Sequence, residues 1–442
     1  MRSTTTTTAR LRPRRAATGS ALALGLALTV SSCSLVGGST STGSTGAGST
    51  AAGSSSGSGG GTAAASVSAS ATGASASATD AAAPAGTDVY AGATAGHLSP
   101  AAAAARPLVY VPNTQSNTLS EVDPKTFAVV RTIPVGRLPQ HVVPSWDLKT
   151  LWVNDNAGDT LVPIDPVTGN AGKPVSVVDP YNLYFTPDGK HAMVMAERLH
   201  QIYFRDPHTM AIQHVLSVPC AGVNHADFTA DGSTFVASCE FSGKLIVVPA
   251  DGSKVLKVID LNAVKTPGST AVGVGVPLGG PAANIAKGVS CMPQDVRLTP
   301  DGRTFLAADM LRNGVWLIDA STFTIRGFLH TGAAAHGIYP SRDSRSIYIS
   351  NRGEGSVSVV DAATLKVTAL WKIPGGGSPD MGGVSADGTQ LWLSGRYSDL
   401  VYVFDTRTGK VIHKVKVGQG PHGLAVWPQP GSYSLGHTGN MR

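Results

Sequence analysis

Residues 315–356, VWLIDASTFTIRGFLHTGAAAHGIYPSRDSRSIYISNRGEGS, and residues 357–399, VSVVDAATLKVTALWKIPGGGSPDMGGVSADGTQLWLSGRYSD, carry one pattern twice. An alternating apolar run ends in an aspartate, a threonine-containing turn leads to a second run, and two further runs flank a second Asp turn. The first aspartate recurs along the chain as Asp123, Asp165, Asp206, Asp319, Asp361 and Asp405, with Pro249 standing in once. Successive spacings are 42, 41, 43, 70, 42 and 44 residues, so one interval holds an insertion of about 28. The second turn recurs at Asp147, Asp188, Asp231, Asp301, Asp343 and Asp387.

A unit of about 42 residues with four short strands is the signature of a β-propeller blade. No apolar pattern of helical period competes with it. The last unit is incomplete. GQGPHGLAVWPQP (418–430) supplies an innermost strand, but GSYSLGHTGNMR (431–442) follows and reads as a flexible tail. The missing strands lie at the other end, at 108–112, 118–122 and 128–135. Innermost strands beginning near 140, 181, 224, 294, 336, 380 and 422 count seven blades. The sequence therefore predicts an all-β, seven-bladed propeller over 106–430, closed by pairing its N- and C-terminal strands, which removes an open sheet edge.

The first 32 residues have the pattern of an export signal. Five arginines and no acid precede an apolar core at 21–30 that is too short to span a bilayer. Residues 33–105 are dominated by Ser, Thr, Gly and Ala and hold too few apolar side chains to offset the entropy of ordering, so a disordered tether is expected. Without the arginines of the signal, 29 basic residues face 28 acidic ones. So neutral a chain lacks the basic footprint of a nucleic-acid binder, and no nucleic-acid partner is expected.

Two resemblances add to this reading. VSSC (30–33) resembles the lipobox of bacterial lipoproteins. That resemblance implies lipidation at Cys33, anchorage to the outer face of the cell membrane, and a domain held in the cell wall or extracellular space. Units such as VSVVDAATLKV (357–367) and VYVFDTRTGKVIHKVKVGQGPHGLAV (401–426) resemble the YVTN-repeat propellers, the surface-layer and YncE-like group. The resemblance implies a seven-bladed propeller outside the cytoplasm but no single chemistry.

Candidate site residues follow from strand order. The innermost strands begin around one mouth of the channel, bringing His141, Asn182, His225, Asp295, His336, Asp380 and His422 to it, with Arg198, Arg352 and Arg396 from neighbouring loops. Such a mouth is a usual ligand position. The insertion at 261–290 emerges on the same face and is expected to act as a lid. Cys220, Cys239 and Cys291 lie on that side in an oxidising compartment, where one disulfide and one free thiol are expected, with Cys239 favoured in the bond.

The mouth offers only two carboxylates, Asp295 and Asp380, in blades that are not adjacent. A non-catalytic module binding a small ligand, glycan or protein is therefore favoured, as a monomer and without a cofactor. The alternatives are a lactonase-like hydrolase and a copper or zinc site drawing on His225, His336 and Cys239, since imidazole suits such ions.

Overall fold

The computed structural model describes residues 88–265 and 288–442. The export signal, Cys33, most of the tether and residues 266–287 of the insertion, hence the lid expectation, lie outside them. Among the described residues the chain forms seven four-stranded antiparallel sheets. In chain order their innermost strands are Pro139–Pro144, Asn182–Phe185, Val223–Phe228, Pro293–Leu298, Ala335–Pro340, Pro379–Val384 and Ala425–Trp427. The seventh sheet combines Ala425–Trp427 with Leu108–Asn113, Thr118–Val122 and Val129–Pro134. Leu108 pairs with Trp427, Val109 with Val426 and Tyr110 with Ala425, so the two ends of the repeat array complete one blade.

The 42-residue repeat has a local cause. At six of the seven outer hairpins the recurring aspartate turns its carboxylate onto the following amides. Asp206 Oδ1, for example, accepts from His208 N at 3.0 Å and Thr209 N at 2.7 Å. At the inner turns a Ser or Thr two residues earlier donates to the Asp, as Thr186 does to Asp188 at 2.7 Å. These Asx-type turns satisfy backbone groups that a hairpin would otherwise leave open. Packing then grades from inside to outside. Innermost strands such as Val223–Phe228 are buried at every position, because both faces meet neighbouring blades. Outermost strands such as Ile212–Ser217 are mostly exposed.

Two expectations are corrected. Residues 431–442, read as a flexible tail, fold back into the channel: Ser434, Leu435, His437, Thr438, Asn440 and Met441 are all buried. His437 N donates to Leu183 O at 2.9 Å, and Gly436 bridges to Tyr184. A side chain at Gly436, whose φ is +99°, would collide with the Leu183 and Tyr184 backbone. Asp227 anchors the end of the segment, accepting from Asn440 Nδ2 at 2.6 Å and Arg442 Nη2 at 3.0 Å.

The ordered domain also begins before 106. Ser99 caps a short helix at Pro100–Ala103, and Ala102 is buried. Tyr90, the one tyrosine of the tether, is buried with its hydroxyl on Leu298 O at 2.7 Å. The Arg442 guanidinium lies over its ring, 4.5 Å from the centroid. Tether and tail thus pack on each other. Aromatic and apolar anchors too sparse for a compositional signal still find a surface to bury against.

Candidate functional site

The site residues owe their aim to a repeated irregularity. In five blades the inner strand pair slips register at its start, between Pro139 and Val142, Val223 and Ala226, Pro293 and Val296, Ala335 and Ile338, and Pro379 and Gly382. A bulge of this kind re-aims the unpaired residues. His141, His225, Asp295, His336 and Asp380 all fall inside these bulges. His141, Asn182, His225, Asp295, His336, Asp380 and His422 are accordingly buried in the channel rather than displayed at its rim. Gly423 makes room for this arrangement, because a side chain there would collide with the His141 ring.

Two clusters result. In the first, Asp380 is the hub. His422 Nδ1 donates to Asp380 Oδ2 at 2.7 Å, Arg352 Nε donates to Asp380 Oδ1 at 2.9 Å, and Arg352 Nη2 contacts both Asp380 and His336 Nε2. His336 Nδ1 lies 3.1 Å from Asp380 Oδ1 but is poorly aligned for a hydrogen bond. Burial acts to raise the Asp380 pKa. The opposing pull of Arg352, His336 and Arg396 wins and holds it below the usual carboxylate range.

The second cluster is His141, His225 and His437. One ring nitrogen from each lies within 4.8 Å of the others. His141 Nδ1 donates to Tyr181 O at 2.8 Å, which leaves Nε2 as its lone-pair nitrogen. His225 Nδ1 and His437 Nδ1 both lie 3.1 Å from the Asn182 side-chain amide. The Nε2 atoms of all three have no hydrogen-bond partner among the described residues. Burial lowers the His141 pKa to about 4 and holds His225 and His437 well below the ordinary value. Burial thus favours the neutral form of all three rings. Asp295 lies beside them, its Oδ1 3.7 Å from His437 Nε2. Burial raises its pKa to about 6, against the opposing charge of Arg297.

A second polar layer lies toward the face where the innermost strands begin, and of its groups Glu197 carried no signal in the sequence. Asn224 Nδ2 donates to Glu240 Oε2 at 2.7 Å. Burial raises the Glu197 and Glu240 pKa values, and their mutual repulsion raises Glu197 further. Gln140 Oε1 and Glu197 Oε1 have no partner among the described residues. Arg396 lies close enough for its charge to act on Asp380, and its Nη1 reaches Thr114 Oγ1 at 3.3 Å.

Other candidates fall elsewhere. Arg198 is half exposed and committed to Asp179 at 2.7 Å and Asp159 at 3.0 Å, so it braces the rim instead of lining the channel. Cys239 is bonded to Cys220, and Cys291 is the free, buried thiol. The disulfide removes Cys239 from metal ligation. His336 is no better placed as a ligand, because its Nε2 meets the Arg352 cation. Of the copper or zinc candidates only His225 joins the cage, and its partners are His141 and the unforeseen His437. His437 carried no compositional signal, because the apolar side chains of the tail are few. The tail carries Tyr433, Leu435 and Met441 among its glycines, enough apolar side chains to seat it.

Comparison with known proteins matches the YNCE-like beta-propeller family over residues 68–258 and 275–430. No curated protein matches the chain. Solved structures share its architecture at low identity. Hydrazine synthase of Kuenenia stuttgartiensis is 17% identical over 69% of this chain and 93% of that one, with a TM-score of 0.54. A functionally unknown protein from Desulfotomaculum acetoxidans is 16% identical over 73% and 100%, with a TM-score of 0.55. The dihydro-heme d1 dehydrogenase NirN, in complex with DHE, is 15% identical over 72% and 75%, with a TM-score of 0.51. At these identities the likeness is one of fold.

Proposed function

The chain belongs to the YNCE-like beta-propeller family, and from that premise we propose that it is a non-catalytic binding module whose ligand enters the channel from the face where the innermost strands begin. The observation that carries this reading is a set of buried channel-side polar atoms without partners among the described residues, Gln140 Oε1, Glu197 Oε1, His141 Nε2 and His225 Nε2, in a channel that also holds the protein's own tail. Buried polar groups are normally satisfied, and one left open costs about 1–3 kcal/mol. A small polar molecule, a glycan or a protruding peptide side chain would recover that cost on binding. The protein would work outside the cell, exported and held to the outer face of the membrane through lipid on Cys33, as a monomer and without nucleic acid.

A second reading is favoured by one observation. Glu197, buried, and Glu240, half-buried, are mutually repelling carboxyl groups with raised pKa values, which suits general acid–base chemistry in a lactonase-like hydrolase.

Native mass spectrometry of protein isolated from its own envelope fraction tests the binding reading. A co-purifying mass should be retained by wild type and lost in Gln140→Ala and Asn224→Ala, with both variants still folded. Retention of the mass in both variants would contradict the reading.

A further inference from the structure

His437 comes from the C-terminal segment, while His141 and His225 come from bulges two blades apart, and the three rings meet centroid to centroid at 5.6, 5.3 and 4.9 Å. We propose that His141, His225 and His437 form a three-imidazole site for one divalent first-row transition ion, completed only when the C-terminal segment is seated in the channel. The inference deepens the binding reading, since it assigns one occupant to the same channel.

The donor set fits such an ion. Three protein ligands with a fourth position left for water or another ligand is the arrangement of open, catalytic-type zinc centres, and imidazole also suits copper, iron and nickel. Nitrogens at about 2.0–2.1 Å from a tetrahedral ion stand about 3.4 Å apart. The cage, spanning up to 4.8 Å, must therefore contract on loading. One buried acid, Asp295, would offset part of the ion's charge, although its Oδ2 also lies 3.6 Å from Arg297 Nη2. Asp295 Oδ1 is unpartnered among the described residues and 3.7 Å from His437 Nε2, where it can accept from water on the ion.

Outer partners decide which nitrogen is free to ligate. The Tyr181 carbonyl already fixes His141 for ligation through Nε2. For His225 and His437 the switch is Asn182. As oriented, its Nδ2 faces both Nδ1 atoms, and it also lies 3.3 Å from the Tyr184 hydroxyl, three acceptors for two hydrogens. Its Oδ1 accepts from Leu183 N at 3.0 Å, which favours that orientation while the cage is open. Turning the amide over gives both Nδ1–H groups an acceptor and frees both Nε2 lone pairs. Asn182 is therefore a positioning residue: ion entry turns its amide at the cost of the Leu183 contact.

The test is titration of the intact, metal-stripped protein with Zn²⁺ and Co²⁺ by calorimetry and absorption. We expect one equivalent bound, with four-coordinate Co²⁺ bands. His141→Ala, His225→Ala and His437→Gln should each weaken binding by more than the ~10–100-fold that loss of an outer partner costs. Asn182→Asp, which can only accept from the two rings, should tighten binding, and Asn182→Leu should weaken it. His208→Ala, at an exposed turn, should change nothing. Should the ligand variants fail to fold, nitrogen couplings in the electron paramagnetic resonance spectrum of the Cu²⁺-loaded wild type count the imidazoles directly, and three are expected. Full affinity in folded His437→Gln, fewer than three coupled nitrogens, or no stoichiometric uptake would overturn the proposal. Because only metal ions are used as probes, such a failure is distinct from loss of a co-purifying organic ligand.

Discussion

His336 and His422 share Asp380 with the Arg352 guanidinium, while His141, His225 and His437 surround no charge of their own, although the two groups are neighbours, with ring centroids 6.3 Å apart for His225 and His336 and 4.8 Å for His141 and His422. Both draw on bulged strand starts, which aim His141, His225, His336 and Asp380, while His422 comes from an unbulged strand start and His437 from the C-terminal segment. The first cluster closes on itself, because each charge has an opposite charge within hydrogen-bond reach. The second is left with open nitrogens. A buried ion pair holds elements together and loses much when one partner goes. A buried set of neutral, unpartnered donors contributes little to folding and retains its capacity for something from outside. Composition alone does not separate structural histidines from candidate ligands; the partner on the far nitrogen does.

The contrast can be broken at four levels. Truncation after Gly418 removes the strand that pairs with Leu108–Tyr110 together with His422 and His437, so both clusters and the ring should fail at once. Loss of the cooperative thermal transition is expected, and an unchanged melt would sink the closure.

Arg352→Met leaves Asp380 buried without its main counter-charge. A loss of about 3–5 kcal/mol in denaturant unfolding at pH 7 is expected.

A pH series sharpens the point. The folded-state pKa of Asp380 is lowered, so its contribution to stability is present above the unfolded carboxyl value of about 3.9 and is lost as pH falls through the folded value. The deficit of Asp380→Asn relative to wild type should therefore be full at pH 7 and shrink below about pH 4. A deficit that stayed constant would mean that the carboxylate charge is not what holds the cluster.

The smallest effect belongs to the open cluster. His437→Gln, which retains a polar head of similar length, should change metal-free stability by no more than about 1 kcal/mol. A loss as large as that of Arg352→Met would make the two clusters alike.

The blades were legible because each 42-residue unit repeats its own local chemistry, an Asp that caps a turn and a run that alternates, and because seven such units leave one blade to be completed from both termini. His141, His225, His336 and His422 were legible as a convergent set for the same reason. Their division into two clusters was not, since it depends on Arg352 reaching Asp380 one blade away and on bulges that turn His141, His225 and His336 inward. His437 was hidden by a different effect. Tail and tether have compositions too poor to drive folding alone, yet Tyr90, Leu435 and Met441 gain burial against a ring that already exists, and Gly436 permits the close approach that seats them.

The central claim is that the open cluster holds an ion which the ion-paired cluster does not. Anomalous diffraction from crystals equilibrated with Zn²⁺ or Co²⁺, recorded on both sides of the metal edge, tests it directly. A single strong peak about 2.0–2.2 Å from a ring nitrogen of each of His141, His225 and His437 is predicted. No peak in the channel, or a peak among His336, His422 and Asp380 instead, would contradict it.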